Sequence, residues 1–345
     1  MSVIFTILIC ILSIGVFILY AYFKYGTRAT FNFFFFAFFI ALLKEGPIRI
    51  NGIWTKNPAM PYEFLEGHSS IVVNTFLVIF GWIFTFCLGW YIADKISQRL
   101  GSGKRYIFSV LLLIGLVTAS IGYAVEATAI GIGWWRWTME DLRMAKFLVG
   151  VPFISIITWM HFPTQYLFAP YFLINCSKFR KASWKGVFFL IPFLHSLTAD
   201  FKPEIVRVSV EYVALIALVI LALTNSLRFD YVETKLPRFP RFLKRKWLEL
   251  SPMLIAFLLL FILVFFDLAK AKDVKLLMSV FPLLFLILLS IKKIPLSVIM
   301  FLAFICWLLF KELVLLAVIP VIVLILLKIL TRNNRYFYGN SLGKI

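Results

Sequence analysis

Residues 106–135, YIFSVLLLIGLVTASIGYAVEATAIGIGWW, are 30 positions with one charged side chain, Glu126. A hydrocarbon core about 30 Å thick is crossed by roughly 20 apolar residues of α-helix. The stretch is therefore expected to span a membrane, and either its helix ends at Val125 or a carboxyl group sits inside the apolar layer. Further apolar runs occupy about 3–22, 29–43, 70–93, 147–175, 185–198, 205–226, 251–267, 275–291, 294–310 and 312–330. The expected fold is all-α, a polytopic integral membrane helical bundle of about 10–11 transmembrane helices. Composition agrees: 62% of residues are hydrophobic and 15% charged, against roughly 45–50% and 25% in soluble domains.

The formal net charge of +19 raises the question of a nucleic-acid partner. Such binding needs basic residues clustered on a soluble surface, whereas here they lie between apolar runs, so no nucleic acid is expected. With all runs spanning and the N-terminus outside, the inner segments hold 23 basic residues and four acids, Asp94, Asp230, Glu233 and Glu249. The opposite side holds 12 of each. That asymmetry follows the positive-inside rule and predicts a multi-pass cell-membrane protein with its C-terminus in the cytoplasm. The first run lacks a positive leader segment, and Lys24 and Arg28 follow it, as expected of a retained span rather than a cleaved signal peptide.

Polar residues divide the chain. Residues 1–227 form a seven-span unit carrying Glu45, Asn74, Glu126, Thr158, His161 and Glu211. A basic linker, 228–250, contains Pro237 and Pro240. Residues 251–330 form a four-span block of mainly Leu, Ile, Val and Phe, followed by a tail, 331–345. Cys10, Cys87, Cys176 and Cys306 show no paired spacing, and His68, His161 and His195 form no histidine box. With no phosphate-binding glycine loop either, the expected chemistry calls for no cofactor and no metal.

Within the first unit, EGPIRINGIW from Glu45 and EATAIGIGWW from Glu126 share the pattern E-x(6)-G-x-W. Gly52 aligns with Gly133 and Trp54 with Trp135, and each copy leads into a span with another tryptophan, Trp82 or Trp159. Two parallel repeats, about 29–93 and 106–175, are expected, with the carboxylates near the same membrane side. Burial in hydrocarbon disfavours a carboxylate anion, so Glu126 is expected to carry a proton. His161 is either a second acid–base group or a packing residue. Glu211 is either a third carboxylate or the partner of Arg207. Asn74 and Ser155 are expected to hydrogen-bond between helices.

EATAIGIGWWRW with FLVGVPFISIITW, residues 147–159, resembles the carotenoid biosynthesis membrane proteins typified by bisanhydrobacterioruberin hydratase. Gly133, Trp135 and Trp137 match one family element, and Gly150, Val151, Pro152 and Trp159 the other. The resemblance covers about residues 40–175; Ser155 stands where the family has asparagine and Thr75 where it has proline. It implies a hydratase that takes an isoprenoid or carotenoid from the lipid bilayer. Glu126 or Glu45 would protonate a double bond, and Trp54, Trp82, Trp135, Trp137 and Trp159, with Pro152 and His161, would line the substrate site. A cyclase using the same protonation is the neighbouring alternative. A lipid or small-solute transporter and a scaffold for another enzyme are the non-enzymatic ones.

Overall fold

A computed structural model of the chain describes residues 3–55, 62–64, 71–100, 104–131, 135–137, 146–147, 151–175 and 281–290. The expected sixth and seventh runs, Glu211 with Arg207, the 228–250 linker and the 331–345 tail lie outside the described residues, as does the 251–330 block apart from 281–290. In order, the elements are α1 (Val3–Thr55), β1 (Tyr62–Phe64), α2 (Ile71–Leu100), α3 (Lys104–Gly131), β2 (Trp135–Trp137), β3 (Lys146–Phe147) and β4 (Val151–Pro152). Then come α4 (Phe153–Pro163), a π-helical turn (Thr164–Phe168), α5 (Ala169–Ile174) and α6 (Phe281–Ser290). Among the described residues, Ile7–Leu43, Thr75–Gln98 and Phe108–Gly131 are long and apolar enough to cross a membrane. The protein is a helical membrane protein.

Helix α1 is bent back on itself. Its one non-helical residue is Gly26, at φ 80 and ψ 167, a conformation open essentially to glycine alone. In a straight helix Phe17 and Phe33 would stand about 24 Å apart, yet their ring centroids are 5.9 Å apart. The chain therefore reverses at Gly26, and the first two expected runs become two arms joined by a one-residue break. The second arm sorts its phenylalanines by helical period. Phe33, Phe36, Ala37, Ile40 and Ala41 are buried, while Phe31, Phe35, Phe38 and Leu42 form an exposed stripe suited to lipid.

α1 packs on α2, α2 on α3, and α3 on α4. Helix α6 lies against α2 and α3, and its Leu283, Leu286 and Ile287 join the same apolar core. The bundle has two chemically different ends. At one, Lys24 pairs with Asp94, Tyr106 bonds to Asp94, and Asn32 bonds to Asn175 at 3.1 Å. These contacts bring together the Gly26 turn, the α2–α3 connection and the end of α5.

At the other end two short antiparallel ribbons form. Tyr62–Phe64 pairs with Trp135–Trp137, and Lys146–Phe147 pairs with Val151–Pro152. The first ties together the two long connections that follow the glutamates. After Glu45 the helix runs on to Thr55, whereas α3 stops at Gly131. Trp54 is thus helical and Trp135 lies in a strand.

Candidate acid site between α3 and α4

Helix α3 does not end at Val125 but runs unbroken through Glu126 to Gly131. Glu126 is 7% exposed. Thr118, Gly122 and Glu126 follow at four-residue spacing, so they share one face of α3, and that face meets α4. Helix α4 presents Ser155 and Trp159, again one turn apart. The Ser155 hydroxyl donates to Glu126 Oε1 at 3.0 Å, and the Trp159 indole N–H donates to the same oxygen at 3.2 Å.

Trp159 is held by more than this bond. Its indole stacks on that of Trp82 with centroids 3.9 Å apart and an interplanar angle of 19°. A Cβ at Gly122 would lie 2.1–2.6 Å from three atoms of its pyrrole ring, so only glycine leaves space for the ring there. The backbone is fixed as well. Pro163 lies inside α4 and has no N–H, so it cannot bond the carbonyl four residues earlier, which is that of Trp159. The Thr118 hydroxyl is the donor nearest that gap, 2.7 Å from the Trp159 carbonyl oxygen, and it shares its proton with the Ile114 and Gly115 carbonyls at 2.8 and 3.2 Å. The π turn that follows Pro163, from Thr164 to Phe168, re-forms the ladder further along.

Of the candidates named from sequence, Glu126, Trp82 and Trp159 come together. Pro152 is buried in β4 just ahead of α4. His161 lies in α4 two residues past Trp159 and is half-buried, on a different face by the helical period. Glu45 and Trp54 lie in α1, and Trp135 and Trp137 in β2; their side chains are outside the described set. Ser155, expected only to bond between helices, does so to the carboxyl itself. Gly122 and Thr118 were not singled out, although a proline in α4 is a signal that some carbonyl needs another donor.

A second polar centre lies at the opposite end. Asp94 is fully buried and accepts from Lys24, from Tyr106 and from Gln98 Nε2 at 2.8 and 3.0 Å. The Lys24 ammonium also sits 5.3 and 5.2 Å from the ring centroids of Tyr20 and Tyr25, within cation–π range. Among the described residues no group of three or more His, Cys, Asp or Glu is arranged to hold a metal ion.

Comparison with protein-family models, curated proteins and solved structures returned no match.

Proposed function

We propose that this protein is a membrane enzyme that protonates a double bond of an isoprenoid or carotenoid and adds water to it. The observation that carries the reading is a carboxyl group within an apolar helix, gripped on one oxygen by Ser155 and Trp159 beside a stacked pair of indoles. The Glu126 proton passes to the less substituted carbon of a trisubstituted alkene. A C–H bond forms, the π bond breaks, and a tertiary cation remains. Water adds its oxygen to that cation, and its surplus proton returns to a carboxylate, that of Glu126 or of Glu45.

An indole face attracts a desolvated cation by about 2 kcal/mol. Trp82 and Trp159 now turn faces to one another, so the reading includes parting of this stack when substrate arrives. Trp54, Trp135 and Trp137 would complete the aromatic lining. If water is excluded, an internal double bond captures the cation and the product is cyclic. The chemistry itself requires no redox or nucleotide cofactor.

The test is expression in a carotenoid-producing host with mass analysis of the pigments. Gain of one water, abolished by Glu126→Gln, is expected. A product of unchanged mass assigns the cyclase, and unchanged pigments across isoprenoid backgrounds overturn both. A transport reading has its own observation, the pairing of half-buried Lys24 with buried Asp94, since intramembrane charges often mark ion pathways. Solute uptake by proteoliposomes, lost in Asp94→Asn, would support it.

The finer architecture belongs to the same proposal: ten or eleven spans, the lysine-rich end in the cytoplasm, and parallel repeats at 29–93 and 106–175. What supports the repeat is that each copy is a helical hairpin whose connection lies at the Glu126 end, with the equivalent Trp82 and Trp159 in contact.

A further inference from the structure

We propose that α4 is hinged at Pro163 and latched by the Thr118 hydroxyl, and that release of this latch parts the Trp82–Trp159 stack beside Glu126. The inference rests on the reading above, which needs that stack to part, and gives it a means. Near the end of α4 the backbone ladder is interrupted. Pro163 offers no N–H to the Trp159 carbonyl. The next backbone N–H, that of Thr164, bonds to the His161 carbonyl three residues back, and the Thr164 hydroxyl serves the Met160 carbonyl at 3.1 Å. The π turn follows at once, with the Ala169 N–H on the Thr164 carbonyl. Prolines and π turns are where helices bend, and here the two adjoin.

The bend has a pivot and an open side. At the pivot α3 and α4 come close: a Cβ on Gly115 would lie 3.1 Å from the Met160 carbonyl oxygen and 3.3 Å from the Thr164 hydroxyl. On the open side Met160 is 41% exposed and residues 156–159 are half-buried, so the turn carrying Trp159 is not enclosed. What ties its backbone to α3 is the bond from Thr118 to the Trp159 carbonyl, 2.7 Å long. That hydroxyl has one proton and two further acceptors within its own helix, the Ile114 and Gly115 carbonyls at 2.8 and 3.2 Å. When Trp159 moves off, the proton turns to Ile114, the back-bond open to any helical threonine. The buried hydroxyl thus keeps an acceptor in both positions, and opening gives up one hydrogen bond, that of the Trp159 carbonyl. This loss favours the closed position until a substrate occupies the site.

The test is circular dichroism of the full chain in lipid nanodiscs, with no substrate present. Two indoles 3.9 Å apart at 19° are coupled chromophores, and subtracting the spectrum of the matching Trp82→Phe protein isolates their couplet from the other tryptophans. Thr118→Val, which removes the latch, is expected to lose much of the couplet, and Thr118→Ser, which keeps the hydroxyl, to retain it. Pro163→Ala returns a backbone N–H to the Trp159 carbonyl, so adding it to Thr118→Val is expected to restore the couplet. An undiminished couplet in Thr118→Val overturns the latch. A loss that Pro163→Ala does not restore overturns the hinge, since Thr118 then acts by packing alone. If Thr118→Val does not fold, Pro163→Ala by itself decides: on heating it is expected to hold the couplet to a higher temperature than the unsubstituted protein, and equal loss overturns the proposal. The acid reading stands or falls separately, on pigment conversion in Glu126→Gln, a measurement that does not involve the couplet.

Discussion

Gly122 and Trp159 show how a single missing side chain can set the geometry of an acid. A methyl group at position 122 would fall 2.1 Å from the nearest Trp159 ring atom, so Gly122→Ala must push the indole away. Overpacking of this kind costs about 1–3 kcal/mol, and the displaced ring would no longer donate to Glu126. We expect a lower unfolding temperature in detergent together with loss of pigment conversion. Trp159→Phe keeps an aromatic ring against Trp82 but removes the N–H together with part of the indole, so conversion should fall, with a drop in unfolding temperature smaller than Trp159→Ala would give. Glu126 and Trp159 were legible because a charge in an apolar run and a repeated Glu-to-Trp order are rare signals. Ser155 was legible only as a helix-to-helix hydrogen bonder, and Gly122 and Thr118 not at all, since all three are ordinary residues for a membrane helix. What makes them matter is the rotational register of α3 against α4, which neither helix encodes alone.

Elements show the same dependence on what lies opposite. The hydroxyl of Thr118 replaces the donor that Pro163 removes from α4, so Thr118→Val leaves the Trp159 carbonyl unpaired in an apolar layer, at a cost of about 1–3 kcal/mol. A lower unfolding temperature for Thr118→Val, absent for the surface change Phe108→Leu on the same helix, would be the sign of this bond; equal values would show that the carbonyl finds another donor. The hairpin in α1 is a comparable case. Two runs and two basic residues between them were visible as a pair of spans, but the break itself is one glycine with a backbone angle that L side chains avoid. Gly26→Ala is expected to cost about 1–3 kcal/mol and to loosen the Phe17–Phe33 contact. The short β-ribbons left no trace in hydrophobic periodicity, because two or three paired residues are too few to establish an alternation.

At the scale of the whole bundle, among the described residues, two buried acidic side chains, Glu126 and Asp94, lie toward opposite ends in different company. Glu126 accepts from the Ser155 hydroxyl and the Trp159 indole; Asp94 accepts from the Lys24 ammonium, the Tyr106 hydroxyl and the Gln98 amide. From sequence Asp94 and Lys24 counted only as residues of inner loops, yet Asp94 is fully buried and ties the Gly26 turn to α2 and α3. Asp94 is the buried member of the pair and Lys24 is half-buried, so removing Lys24 strands a buried carboxylate, at a cost of up to about 3–5 kcal/mol. Lys24→Met alone should therefore destabilise the protein strongly, and adding Asp94→Asn should restore much of the loss because no unpaired charge is then left. Thermal unfolding of the two single variants and the double variant measures this directly, and additive losses would mean that the pair is not coupled. The same pair fixes an expectation for orientation. The end holding Lys24, Arg28, Lys95 and Lys104 should face the cytoplasm, so a cysteine placed at Ser102 should resist an impermeant thiol reagent added to intact cells, while one placed at Met139 should react. Labelling at Ser102 and protection at Met139 would invert the bundle and set Glu126 on the cytoplasmic side, where water and any substrate would have to reach it from within the cell.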